Sequence, residues 1–68
     1  MKPFKYYAVI YRPDGKQITI GGWTEESIRH DLADMKLKKL IDDDCTVEIY
    51  GVNENGDRIG DFTNEIDW

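Results

Sequence analysis

The sequence predicts an α+β fold with the order ββαββ, in which two β-hairpins form an antiparallel sheet and a single helix packs on one face of it. One turn pattern occurs twice, at residues 12–18 and again at 53–59, and each copy follows a run rich in β-branched and aromatic residues. That combination is the sequence pattern of a β-hairpin. A segment with strong helix-start signals lies between the hairpins. Residues 1–68 are therefore predicted to form a single small domain.

The first hairpin is predicted to contain strands at about 5–12 and 17–21. The first strand stops at Pro13, because proline cannot donate a hydrogen bond to a sheet. The turn that begins with Pro13 suits a type I conformation closed by Gly15 at positive φ. Ile18 and Ile20 alternate with polar residues in the second strand and are expected to share a face.

The helix is predicted at about 24–38, with Thr24 as its N-cap and two glutamates in its first turn. Trp23 and Ile28 have the spacing of a hydrophobic staple, in which the two side chains pack across the N-cap. The predicted buried stripe consists of Ile28, Leu32 and Met35. The spacing also predicts two stabilising ion pairs, Glu25–Arg29 and Asp34–Lys38.

The end of this helix has two interpretations, because Lys39 would interrupt the apolar stripe. We favour a helix that ends near Lys36–Lys38, after which the chain leaves the helix and folds over the sheet edge or the core. The apolar residues assigned to that connection are Leu37, Leu40 and Ile41. In the alternative, the helix continues to Ile41 and presents these residues to a partner.

The second hairpin is predicted to contain strands at about 45–52 and 58–63. Alternation in the first of these strands places Val47 and Ile49 inward, and Glu48 and Tyr50 outward. Gly60 indicates a bulge in the last strand, because the apolar residues on either side of it cannot share a face in strict alternation.

Size and composition limit what this chain can be. It has 68 residues, of which 40% are hydrophobic and 34% charged, so it is too apolar for a disordered chain. A domain this small has a thin stability margin, and the single cysteine, Cys45, forbids an internal disulfide. We therefore expect a partner or self-association to add stability, with a homodimer preferred. No signal peptide or membrane span is evident, which predicts a cytoplasmic location.

Charge is unevenly distributed along the chain. Residues 1–41 carry a net charge of +3 and residues 42–68 a net charge of −8, for a total of −5. Direct binding to nucleic acid is disfavoured, because it depends on cationic neutralisation of phosphates. A basic protein partner is compatible with this pattern.

The sheet face without a helix is the preferred candidate site. Exposed aromatic sheet surfaces bind proteins and mediate dimerisation. The alternative is that these are half-exposed residues selected only for strand propensity. The predicted partner-binding residues are Tyr7, Val9, Tyr11 and Tyr50.

The acidic second half is a second candidate. Carboxylates on a rigid surface reproduce the field of nucleic-acid phosphates and attract a basic partner. The alternative is a solvated surface that promotes solubility. The residues that define this acidic surface are Asp42, Asp43, Asp44 and Glu48.

No cofactor, metal or catalytic residue is predicted. The turn at 53–56 fails the calcium-loop pattern, because that register requires acids at Gly51 and Phe62. The acids beside Cys45 disfavour a reactive thiolate, and His30 is the only histidine. The sequence thus predicts a non-enzymatic protein-binding module, of a kind that suits accessory proteins of phages or other mobile elements. The alternative is an acidic inhibitor that mimics nucleic acid and occupies a DNA- or RNA-binding protein.

Overall fold

The computed structural model describes residues 2–68 and confirms the predicted α+β fold. In chain order the elements are β1 (Lys5–Tyr11), β2 (Gln17–Gly22), α1 (Glu25–Leu37), β3 (Thr46–Val52) and β4 (Arg58–Asp61). All neighbouring strands are antiparallel, and their order across the sheet is β2-β1-β3-β4. The two hairpins therefore meet along β1 and β3, and β2 and β4 form the sheet edges.

Both hairpins close with the same backbone geometry. The Arg12 N–H donates to the Lys16 carbonyl at 2.9 Å, and the Asn53 N–H donates to the Asp57 carbonyl at the same distance. Gly15 and Gly56 occupy the left-handed region, with φ of 87° and 86°. Glycine fits this position because it lacks a Cβ. The repeated sequence pattern thus encodes the same three-residue loop twice.

The helix begins as predicted, where the Thr24 hydroxyl accepts a hydrogen bond from the Ser27 N–H at 3.1 Å. The predicted staple is wrong: Ile28 is fully buried in the core, whereas Trp23 is exposed and is not part of the core cluster. Of the predicted ion pairs, Asp34–Lys38 forms at 2.9 Å, whereas Arg29 approaches Glu26 instead of Glu25.

The helix ends with Leu37, as the favoured interpretation predicts, and Lys38 is its C-cap. Lys39 adopts the left-handed conformation with φ of 61°, and the Leu40 N–H donates to the Met35 carbonyl at 2.9 Å. This is a Schellman motif, which reverses the chain at a helix end. Ile41 consequently enters the core, whereas Leu37 lies in the last helical turn and is 83% exposed, so its assignment to the connection is wrong.

The core lies between α1 and the sheet. Even-numbered residues of β1 point towards α1, so a mostly aliphatic cluster forms there, consisting of Tyr6, Ala8, Ile10, Ile28, Leu32, Ile41, Ile49 and Ile66. The helix packs on β1 and β2. The chain after β4 contributes Ile66, and Phe62 and Trp68 pack against the cluster. The same face of the sheet is therefore covered by both the helix and the C-terminal segment.

The last strand is shorter than predicted and ends at Asp61. A register irregularity pairs Gly51 with Gly60 and Val52 with Arg58, which leaves Ile59 as the extra residue. The bulge predicted beside Gly60 is present. Among the described residues, no helix is long and apolar enough to cross a membrane.

Candidate functional site

The sheet face turned away from α1, called the open face below, is built by alternation in the strands. Residues directly opposite one another in antiparallel strands point to the same side. The register pairs Tyr7 with Tyr50, Val9 with Glu48, and Tyr11 with Thr46. The open face therefore carries Lys5, Tyr7, Val9 and Tyr11 of β1, Gln17, Thr19 and Gly21 of β2, and Thr46, Glu48, Tyr50 and Val52 of β3.

A continuous row of rings and cations crosses this face, called the aromatic row below and formed by Phe4, Trp23, Lys5, Tyr7, Tyr50 and Arg58. Phe4 and Trp23 meet edge to face, with ring centroids 5.2 Å apart. The Lys5 ammonium lies 5.0 Å from the Trp23 ring and 5.0 Å from the Tyr7 ring.

The row continues across the two central strands. Tyr7 and Tyr50 stack with centroids 5.7 Å apart, and the Arg58 guanidinium lies 4.6 Å from the Tyr50 ring. Arg58 also forms an ion pair with Glu48 at 2.9 Å. Each such aromatic or cation–π contact contributes about 0.5–1.5 kcal/mol, so the contacts hold the side chains in position.

The row is accessible to solvent even though it contains some of the largest apolar groups in the chain. Trp23 is 63% exposed and Phe4 is 47% exposed. Beside Phe4, a cleft of about 470 Å³ extends to Ile59 and the turn of the second hairpin. A contiguous apolar surface of this kind is typical of interaction sites, whereas single exposed apolar residues are ordinary.

The four residues predicted as the partner-binding set all lie on the open face. Tyr7 and Tyr50 are half-buried and in mutual contact. Val9 is only 6% exposed, so it supports its neighbours and offers little surface of its own. Tyr11, which is 42% exposed, lies at the opposite end of β1 from Lys5.

Sequence reasoning missed four members of the aromatic row, namely Phe4, Lys5, Trp23 and Arg58. A signal was present for Trp23, because it continues the outward alternation of Thr19 and Gly21 beyond the end of β2. The absence of a side chain at Gly21 leaves space that Lys5 and Tyr7 occupy. The contribution of Arg58 depends on the strand order, which the sequence does not specify.

The predicted acidic surface is divided in the structure. Asp42, Asp43 and Asp44 are exposed in the loop before β3, where an Asp42 carboxylate oxygen accepts a hydrogen bond from the Asp44 N–H at 2.9 Å. Glu48 belongs to the open face and is paired with Arg58. One carboxylate thus organises a loop and another is neutralised, so the four do not act as equivalent free charges.

A groove of about 710 Å³ lies on the other side of the molecule, between the start of α1 and the C-terminal segment. Tyr6 contributes to its lining, and its phenol donates a hydrogen bond to Glu25 at 3.3 Å. Burial raises the pKa of the Tyr6 phenol, and the nearby Glu25 and Glu65 carboxylates raise it further. The groove is mixed in charge, because it is also lined by Lys2 and Arg29.

The two residues that could have formed a thiol site have different environments. Cys45 is half-buried and packs against the core cluster, whereas the His30 side chain is exposed on α1 and approaches Asp31 at 3.9 Å. Within residues 2–68, no group of three or more His, Cys, Asp or Glu side chains is arranged to hold a metal ion.

Comparison with protein-family models, curated protein sequences and solved structures found no match for this chain.

Proposed function

We propose that this protein is a small non-enzymatic binding module that captures a protein partner on its open face. The observation that carries the proposal is the aromatic row, an exposed and contiguous set of rings held in place by stacking and by cation–π contacts. Tyrosine, tryptophan and arginine are the residues most enriched at the energetic centres of protein interfaces.

The geometry supports a partner with an apolar anchor. The cleft between Phe4 and Ile59 is lined by apolar carbon and lies at one end of the row, where an inserted side chain would contact Phe4. Anchors of this kind contribute most of the binding energy when they fill a pocket and exclude water.

Lys5 supports a carboxylate on the same partner. Within residues 2–68 its ammonium forms no salt bridge, and its contacts are the rings of Tyr7 and Trp23. A partner carboxylate brought to this cation would be partly desolvated by the rings, which strengthens the ion pair. The proposed partner surface is therefore apolar with an acidic neighbour.

The proposed setting is the cytoplasm, where a lone thiol such as Cys45 stays reduced. Small size and acidic charge also suit an accessory protein of a phage or other mobile element.

The test is a quantitative capture experiment from the source cell with three immobilised proteins. These are the wild type, the open-face variant Tyr7→Ser/Tyr50→Ser, and the control variant Glu26→Ser/Arg29→Ser, which removes an exposed ion pair on α1. We expect a protein that is captured by the wild type and the control but not by the open-face variant. Capture should persist at about 1 M salt, where charge attraction is screened beyond about 3 Å.

Equal capture by all three proteins, with the open-face variant still folded, would contradict the proposal. Capture that disappears at high salt would also contradict it, because that result indicates a contact made by the charged surface.

A further inference from the structure

The two edges of the sheet differ in how well they are protected. The outer strand β4 has four residues and an irregular register, and both features discourage pairing with another strand. The outer strand β2 has six residues in continuous register with β1. Its sequence, Gln17–Gly22, contains no proline and no charged residue. It has none of the devices that normally blunt an edge strand.

The unpaired backbone groups of β2 can be assigned from the hairpin. Arg12 and Lys16 form the hydrogen-bonded pair that closes the turn, and hydrogen-bonded pairs recur at every second residue of an antiparallel ladder. The pairs of Ile18 with Ile10 and Ile20 with Ala8 therefore bond inward to β1. The N–H and C=O groups of Gln17, Thr19 and Gly21 point to the free edge.

We propose that two copies of this chain pair antiparallel through β2, with a two-fold axis at Thr19. This register matches every outward-pointing residue: Thr19 lies opposite its own copy, and Gln17 lies opposite Gly21 of the partner. Shifting the register by two residues in either direction would lose one of these matches. The strand is self-complementary in this register.

The side chains fit the same arrangement. Ile18 and Ile20 pack at the margin of the core but remain partly exposed, because nothing follows β2 in the sheet. In the proposed register, Ile18 of each copy lies opposite Ile20 of the other on the helix side. Cross-strand pairs of β-branched residues stabilise a sheet, and these pairs would extend the core across the two copies.

The charge distribution also favours this edge over the other. The net charge of −8 lies in residues 42–68, which include β3 and β4, whereas residues 1–41 carry +3. The sheet order places β2 farthest from β4, about 14 Å away at normal strand spacing. Pairing through β2 holds the acidic halves of the two copies apart.

The proposed dimer changes what the protein can bind. A two-fold axis perpendicular to the sheet joins the two sheets into one and places both open faces on the same side. Each aromatic row begins near Gly21 and Trp23, close to the shared edge. Two binding sites held side by side raise the avidity for a partner with repeated epitopes, without any new contact.

The test uses residue 19, because the two-fold axis places it against itself. Thr19 is exposed on the open face, so lysine or glutamate is tolerated there by the fold. In Thr19→Lys or Thr19→Glu alone, like charges lie opposite each other at about 5.5 Å between Cα atoms, which opposes pairing. An equal mixture of the two variants places lysine opposite glutamate. The matched control is Thr46→Lys, the same change at an exposed position of β3.

Analytical ultracentrifugation should give a mass of twice 7.9 kDa for the wild type and for Thr46→Lys, and 7.9 kDa for each variant at residue 19. The mixture should recover the doubled mass. Circular dichroism checks that every variant is folded.

Three results would overturn the proposal: a monomeric wild type at its highest soluble concentration, a dimer that survives Thr19→Lys, or a mixture that stays monomeric. A dimer lost in Tyr7→Ser/Tyr50→Ser but kept in Thr19→Lys would assign self-association to the aromatic row. The β2 pairing can fail while partner capture on the open face persists, so the two proposals are separable.

Discussion

The two faces of the sheet are made by the same strands and differ in what covers them. Neighbouring residues of β1 show the contrast: Tyr6 is buried beneath the groove and bonded to Glu25, whereas Tyr7 stacks on Tyr50 on the open face. The helix face is mostly aliphatic and sealed by α1 and the C-terminal segment. The open face is aromatic and cationic. A single layer of helix thus leaves half of the sheet surface available for recognition.

The largest difference between the faces is expected in stability. Leu32 is fully buried under α1, so Leu32→Ala should lower the free energy of unfolding by about 2–5 kcal/mol through lost transfer energy and a cavity. Leu37→Ala is the matched control, because it makes the same chemical change at an exposed position of the same helix. Its effect should lie within about 0.5 kcal/mol.

Urea unfolding followed by circular dichroism measures both changes. If Leu37→Ala cost as much as Leu32→Ala, the exposed side of α1 would have to be part of an interface.

A smaller effect is expected from pH, and it should be confined to the helix face. The pKa of Tyr6 is raised above 10.0 in the folded protein by burial and by Glu25. Above pH 10.0 the unfolded chain loses this proton while the folded protein retains it, so stability should fall as the pH rises towards the folded pKa.

Tyr6→Phe should remove this part of the alkaline decline, as measured by unfolding below and above pH 10.0. Tyr11→Phe makes the same change at an exposed position of the open face and leaves Tyr6 intact, so the decline should persist. An unchanged slope in Tyr6→Phe would show that the phenol does not couple to folding.

The smallest effect is expected from the acidic loop, and it distinguishes the two functional hypotheses. Replacing Asp42, Asp43 and Asp44 with asparagine removes three charges, and the amide introduced at position 42 keeps an oxygen that can accept the bond from residue 44. If the open face is the site, partner capture should be nearly unchanged. If the protein mimics nucleic acid, capture by the wild type should depend steeply on salt and the triple variant should bind weakly.

Much of the fold was predictable because local patterns specify it. The duplicated turn, the Thr24 cap and the alternation in β3 each determine an element from a few residues. The parity of β1 was not predictable, because Tyr6 and Tyr7 are adjacent and either could face the helix. Tertiary packing decides it, by placing Tyr6 with Ala8 and Ile10 in the core.

The candidate site was predictable only in part, for a related reason. Tyr7 and Tyr50 lie on strands whose outward positions could be proposed from the sequence, but their contact requires β1 and β3 to be neighbours. Trp23 was assigned to a staple because its spacing from Ile28 fits one. In the structure its ring instead meets Phe4 and Lys5, two residues whose position depends on the register of β1.

The pairing of β1 with β3 also has a consequence for how the chain folds. Each hairpin and the helix can form from local contacts, which is a microsecond process. The β1–β3 ladder instead joins residues from opposite ends of the chain, as in the pair of Lys5 with Val52, and must wait for the intervening segment to close. Until then Ala8, Ile10 and Ile49 lack their shared core. We therefore expect neither half of the chain to fold alone, and the molecule to appear in a single cooperative step.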